Sequence, residues 1–203
     1  MRARSEAPAR ILEAAIAVIE DAGEVAIRVH DLAGACGVTG PILYRAYGSR
    51  EGLIIAAQAE RYRRSTAHDV TALAEAIDAA TTTNELRAAL DAELRTAFDS
   101  DRDRDRRVRA NIIGSSITRP ELAAAIVDID RSLIDRASIA WGHAQRRGLL
   151  RTDVDATVLA AWWFAHLDCR IHLELAPTRL DGAAWNTVAR DAALAAVFGP
   201  VAD

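Results

Sequence analysis

Between Val25 and Gly52 the chain reads VAIRVHDLAGACGVTGPILYRAYGSREG, and this stretch restricts the possible folds more than any other. Leu32, Cys36, Val38, Leu43 and Ala46 fall where two short crossed helices bury apolar side chains, and Ala33 is small enough to let the helices approach. Gly37 supplies the turn, because the left-handed backbone that ends one helix and redirects the chain costs glycine little and other residues more. This is the pattern of a helix-turn-helix. So short a fragment needs a brace. Pro8 suits a first helical turn, and Leu12, Ala15, Ile16 and Ile19 then recur at helical spacing until Gly23, which gives a preceding helix with one apolar face.

The second helix of the motif is expected over about residues 39–47. Thr39 stands at its N-cap, with a hydroxyl suited to a backbone amide or a phosphate, and Pro41 fits the first turn, where its missing N–H costs nothing. Gly40 leaves room for a close approach, while Tyr44 and Arg45 project from the middle. Tyr47, at the end, is expected to pack inward. Ser49 caps a fourth helix, with Glu51 in its first turn, that carries Leu53, Ile54, Ala57 and Tyr62 to about Thr66.

The run Val38-Thr39-Gly40-Pro41-Ile42-Leu43-Tyr44-Arg45-Ala46-Tyr47-Gly48-Ser49-Arg50-Glu51 resembles the second half of the DNA-binding domain of the TetR-type transcriptional regulators. The close match spans about residues 8 to 55; beyond it the resemblance is one of layout. Three positions depart from the family's habit: Arg28 stands where a Thr cap of helix 2 is common, Gly40-Pro41 replaces a basic-Gly pair, and Arg50 stands for Lys. The resemblance implies an all-α fold of about nine helices with two domains. Residues 1–52 would form the helix-turn-helix domain, residues 53–203 an effector-binding and dimerisation domain, and helix 4 (49–66) the link. It implies double-stranded DNA as partner, with Arg28, Thr39, Gly40, Pro41, Tyr44, Arg45 and Arg50 as contacts. Arg can bind guanine bidentately, and Tyr can bond a phosphate or pack on a thymine methyl. Arg2 and Arg4, on an N-terminal arm, could reach a minor groove.

The net charge of −4 argues at first against such a partner. Its distribution reverses that: residues 1–65 carry nine Arg against eight acidic residues, so the negative excess lies in the remainder. All 25 basic residues are Arg and alanine abounds, as in high-GC bacterial genomes. No run of about 18 apolar residues marks a membrane span, and the first 20 residues are too charged for a signal peptide, so a cytoplasmic protein without membrane contact is expected. Cys36 and Cys169 lie too far apart in sequence to suggest a disulfide framework.

After His68 the pattern is helical without a convincing strand. One helix carries Leu73 and Ile77; Thr82 and its neighbours start another with Leu86, Leu90, Leu94 and Phe98. The segment DSDRDRDRR (99–107) interleaves opposite charges with no apolar anchor and reads as a solvated loop or helix entry, followed by a helix over 108–117. A long helix opens at Pro120 and ends near Gly148. The next, expected from Asp153 to about Ala176, is apolar on two sides and must be covered by more than one neighbour. With the last helix it offers Val158, Trp162, Cys169, Trp185, Val188, Ala192 and Ala196 as a homodimer interface, the alternative being that both helices fill one subunit's core. Phe98, Trp141, Trp163 and His166 are candidates to line a cavity for a small apolar or amphipathic ligand.

His166, Cys169 and His172 recur every three residues and raise the question of a metal. On one continuous helix the two histidines would lie about 120° apart around the axis and about 9 Å apart along it, a poor fit to one ion. No phosphate loop, nucleophile elbow or telling pair of carboxylates is present, so neither a cofactor nor catalysis is expected. The resulting expectation is a DNA-binding regulator, with a helical interaction protein lacking small-molecule control as the alternative and a helical-bundle enzyme a distant third.

Overall fold

The structure, a computed structural model, describes residues 6–175 and 180–199. The arm carrying Arg2 and Arg4 lies outside them. Among the described residues every regular element is helical: α1 Ala7–Ala22, α2 Val29–Ala35, α3 Gly40–Tyr47, α4 Arg50–Ala79, α5 Thr83–Ala97, α6 Asp103–Ser116, α7 Pro120–Arg146, α8 Ala156–Leu167, α9 Ile171–Leu175 and α10 Gly182–Phe198, with short 3-10 turns at Glu24–Ala26 and Ser100–Arg102. No helix is long and apolar enough to cross a membrane, again among the described residues.

The chain forms two compact units. The first holds residues 1–64 together with Ser115–Ile126; the second holds Ser65–Gly114 and Val127–Asp203. Helices α4, α6 and α7 thus have residues in both. In the first unit Ile11, Ala15, Ile16 and Ile19 of α1 meet Leu32, Leu43, Leu53, Ile54 and Ala57 in one core, so α1 provides the expected brace. Gly37 takes φ +62° at the turn, and Val38 N–H closes it by donating to Ala33 O at 2.9 Å. Ala46 departs from expectation and is exposed. Leu43 and Tyr47, one turn apart, make the inward edge of this eight-residue helix, and Ala46 falls on the solvent side of it.

The second unit buries Leu73, Ile77, Leu86, Leu90, Leu94, Phe98, Trp141, Leu159, Trp163, Leu167 and Val197 in a single core. Its helix starts follow local chemistry. Thr82 and Glu85 make a reciprocal capping box on α5, Asp155 accepts from Thr157 N–H at 2.8 Å on α8, and Asp181 accepts from Ala183 and Ala184 N–H on α10.

Three expectations are corrected here. Helix 4 does not end near Thr66; it runs for 30 residues to Ala79 and includes Leu73 and Ile77. The charged run is a helix entry, with α6 beginning at Asp103, but it is solvated only in part: Arg106 within it is buried and with Arg109 and Ile112 makes the inward face of α6. Arg106 donates to Glu174 Oε1 at 2.5 Å and Asp99 O at 2.9 Å, and to Ala97 O and Asp103 Oδ1. It thereby caps the carbonyl end of α5 and closes a buried ionic layer.

The same layer interrupts the helix expected over 153–176, whose end lies outside the described residues. Asp168 accepts from Arg109 Nε at 2.7 Å, and Arg170 bonds Asp103, Glu174 and Asn186. With these side chains drawn inward, Cys169 N–H donates to His166 O and Ile171 N–H to Asp168 O, tighter three-residue spacings that separate α8 from α9. His166, Cys169 and His172 therefore fall on either side of a break.

Candidate nucleic-acid interface

Helix α3 has one face in the core and the other in solvent. Leu43 is fully buried, whereas Thr39, Pro41, Tyr44 and Arg45 are exposed, Tyr44 to 48%. Thr39 occupies the N-cap position without bonding the helix amides through its side chain; its carbonyl accepts from Ile42 N–H at 3.0 Å, and the residue itself is exposed. A helix start of this kind suits a phosphate. Gly40 has nothing within 4 Å of the position its Cβ would take, which leaves the backbone open on that side. Tyr47 turns inward as expected. Its hydroxyl donates to Pro8 O at 2.6 Å, tying α3 to the start of α1, and burial pushes the phenol's pKa up.

The two flanking arginines have other work. Arg50 donates from Nε to Ile27 O at 3.0 Å and from Nη2 to Glu24 O at 2.7 Å, fixing the turn between α1 and α2. Arg28, exposed at the N-cap of α2, donates to Val25 O at 2.5 Å across the same turn. Both orient the motif's first helix before either reaches an external phosphate.

Contacts made by three residues of the first unit had no sequence signal. Arg119, just before α7, grips the Glu24 carboxylate with both terminal nitrogens, at 2.9 and 2.6 Å, and its Nε lies 3.2 Å from Glu51 Oε1. Gln58 Nε2 donates to the same Glu24 at 2.5 Å. The Arg119 fork holds the Glu24 carboxyl below the usual carboxylate range against the opposing effect of burial. Gly52, in the first turn of α4, sits so close to α3 that a Cβ there would lie 2.1 Å from Tyr47 O.

In the second unit three of the four expected pocket residues are core, and His166 is half-buried. Phe98, Trp141 and Trp163 are at most 2% exposed, Trp141 meets Trp163 edge to face at 5.4 Å, and Phe98 meets both His166 and Trp185 edgewise. His166 stacks on Trp162 at 4.8 Å and its Nε2 pairs with Ala189 O at 2.8 Å. The indole N–H of Trp141 is buried with no hydrogen-bond partner among the described residues. A cleft of about 500 Å³ opens elsewhere, lined by Ser138, Gly142, Gln145, Arg146, Thr152 and the first residues of α8. None of the four aromatic candidates lines it.

Of the expected interface residues, Val158 and Val188 are 57% and 69% exposed, Trp162 38%, and Ala192 is exposed as well. Cys169, Trp185 and Ala196 are half-buried, the first two packed against the core. Burial pushes the Cys169 thiol up to about 11.

Residues 11–57 match the family model of bacterial regulatory proteins of the tetR family. No curated protein matches the chain. Among solved structures, the fold is similar to that of a protein assigned to the TetR family of transcriptional regulators from Rhodococcus sp., at 19% identity over 96% of this chain and 100% of that one, with a TM-score of 0.67. A second such protein, from Mesorhizobium loti, gives 17% identity over 96% and 98%, TM-score 0.70. A candidate transcriptional regulator from Saccharomonospora viridis in complex with choline gives 19% over 97% and 100%, TM-score 0.63. At these identities the whole-chain likeness is one of fold.

Proposed function

We propose that this chain, whose N-terminal helices are a TetR-type helix-turn-helix domain, is a transcriptional repressor that grips a palindromic operator as a homodimer and leaves it when a small molecule binds. The fold is that of transcription regulators rather than enzymes. The observation that carries the reading is the outward face of α3, where Thr39, Gly40, Pro41, Tyr44 and Arg45 are presented behind a helix anchored by buried Leu43. In this reading Arg45 reads a base edge, Tyr44 and Thr39 meet phosphate or sugar, and Arg28 and Arg50 chiefly set the angle of α2. Residues 1–52 serve as the DNA-binding part and 53–203 as the effector and dimerisation part. A cytoplasmic site of action follows from the DNA partner.

The homodimer is supported by the face that α8 and α10 leave uncovered, with Val158, Trp162, Val188 and Ala192 in solvent. Four apolar side chains on two adjacent helices are a patch that a second copy would bury. Control by a ligand is supported by the choline complex of one structural relative and by the unpartnered Trp141 indole N–H within the core. One observation favours a second reading, a helical regulator answering to a protein partner: Phe98, Trp141 and Trp163 pack on their neighbours rather than around a cavity.

The test is selection of bound sites from random duplexes with the purified protein. An inverted repeat with half-sites about one helical turn or more apart supports the proposal. Enrichment of nothing, or of a single asymmetric site, overturns it.

A further inference from the structure

The α6–α7 corner, residues 115–126, is far from the helix-turn-helix in sequence yet belongs to the same compact unit. Arg119 of this corner is bonded to the turn that precedes the motif, while Leu122 and Ile126 of the same corner are buried. Arg119 is planar and forked, and the structure uses the fork fully: Nη1 and Nη2 take the two oxygens of Glu24, Nε faces Glu51, and Nη1 also lies 3.1 Å from Ser115 Oγ. Glu24 opens the 3-10 turn between α1 and α2, and Glu51 lies in the first turn of α4. One cation therefore bridges the two segments that flank the reading motif. Its side chain is 27% exposed and that of Glu24 23%, so the pair is neither a loose surface contact nor deeply desolvated.

From this juxtaposition we propose that Arg119 is a positioning residue for DNA recognition: it clasps the α6–α7 corner to the α1–α2 turn and so fixes the angle at which α3 is presented. The inference rests on the reading of α3 as a DNA-contacting helix. Arg50 holds the same turn through the carbonyls of Glu24 and Ile27, so the turn remains folded without Arg119. What is lost is its attachment to the corner. A bidentate arginine is needed for this, because a lysine ammonium can neutralise the carboxylates but cannot fix the plane of the pair.

The test uses the full chain, with Arg119→Gln, Arg119→Lys, Glu24→Gln and the Glu24→Gln/Arg119→Gln double variant. The first readout needs no DNA. Amide exchange at Ala26, Ile27 and Ala123 should quicken by about five- to tenfold in Arg119→Gln, while amides of the second unit's core keep their rates. The second readout is binding to the duplex selected by the wild-type protein, in a series whose half-site spacing is changed by one and two base pairs. The wild type should discriminate sharply; Arg119→Gln should lose most of that discrimination, Arg119→Lys should recover part of it, and the double variant should be no worse than either single one. Unchanged exchange together with unchanged spacing preference overturns the clasp. So does a uniform loss of binding at every spacing with exchange quickened throughout the first unit, the mark of a merely structural residue. If the wild type selects no duplex, the DNA reading fails by itself, and quickened exchange confined to the turn and corner still upholds the clasp as an attachment.

Discussion

Replacing Arg106 by leucine should cost the second unit far more than removing the charge of its partner. The guanidinium is wholly buried and serves Glu174, Asp103 and the carbonyls of Ala97 and Asp99 at once. With leucine in its place Glu174 and Asp103 keep Arg170, at 3.3 and 2.7 Å, but the carbonyls of Ala97, at the end of α5, and of Asp99, just beyond it, lose this donor. A buried polar group left unsatisfied costs about 1–3 kcal/mol, and a broken buried pair about 3–5, so we expect about 4 kcal/mol. Glu174→Gln retains an oxygen acceptor facing Arg106 and forfeits only the charge assistance, about 1–2 kcal/mol. The assay is urea denaturation at neutral pH followed by tryptophan fluorescence. All four tryptophans, 141, 162, 163 and 185, lie in the second unit, so the signal reports on that unit alone. In thermal melts the arginine variant should fall by about 10–20 °C. An Arg106→Leu protein within about 1 kcal/mol of wild type, or a Glu174→Gln protein equally damaged, would refute the reasoning.

Val188→Asp places a carboxylate in the middle of the uncovered α8–α10 face; sedimentation should show a folded monomer with unchanged helix content, and an intact dimer at micromolar concentration would move the interface elsewhere. Arg45→Ala should weaken binding to the selected duplex by about 1–3 kcal/mol and relax preference at one base pair; equal weakening on every duplex would make Arg45 a phosphate contact. Acidification should loosen the first unit through Glu24. Its folded-state pKa lies below its ordinary value, chiefly because of the Arg119 fork, so the stability it contributes is present above the ordinary carboxylate range near 4.5 and is lost as pH falls through the lower, folded value. Exchange of the Ala26 and Ile27 amides should rise over that interval in the wild type and change less in Glu24→Gln.

The helix-turn-helix was legible because its signals are local. Gly37 for the turn, Leu32 and Leu43 for the buried seam, and Ser49 for a cap that accepts from Gly52 N–H at 2.9 Å each declare themselves within a few residues. The ionic layer was not legible because its partners are 59 to 68 residues apart, as in Arg109–Asp168 and Arg106–Glu174. Alternating Asp and Arg read as hydrophilic whether they face water or each other. A hint was present in the spacing of Arg106, Arg109 and Ile112, which continues one helix face at steps of three. The break after Leu167 was hidden for the same reason, since what stops the helix is a contact made by Asp168 with a residue of α6. Arg119 had no signal at all: its partners Glu24 and Glu51 are defined only once the corner is folded onto the motif.

Gly52 carries a consequence for how this protein can vary. With Tyr47's carbonyl oxygen 2.1 Å from where a methyl would stand, the end of α3 and the beginning of α4 touch backbone to backbone, and no rotamer choice relieves the overlap. In a saturation library the solvent-facing positions of α3 should tolerate many residues and so be free to acquire new sequence preferences. Position 52 should accept hydrogen alone. The gap between two consecutive helices is thus set by the smallest side chain in the code, while the neighbouring surface is left to drift.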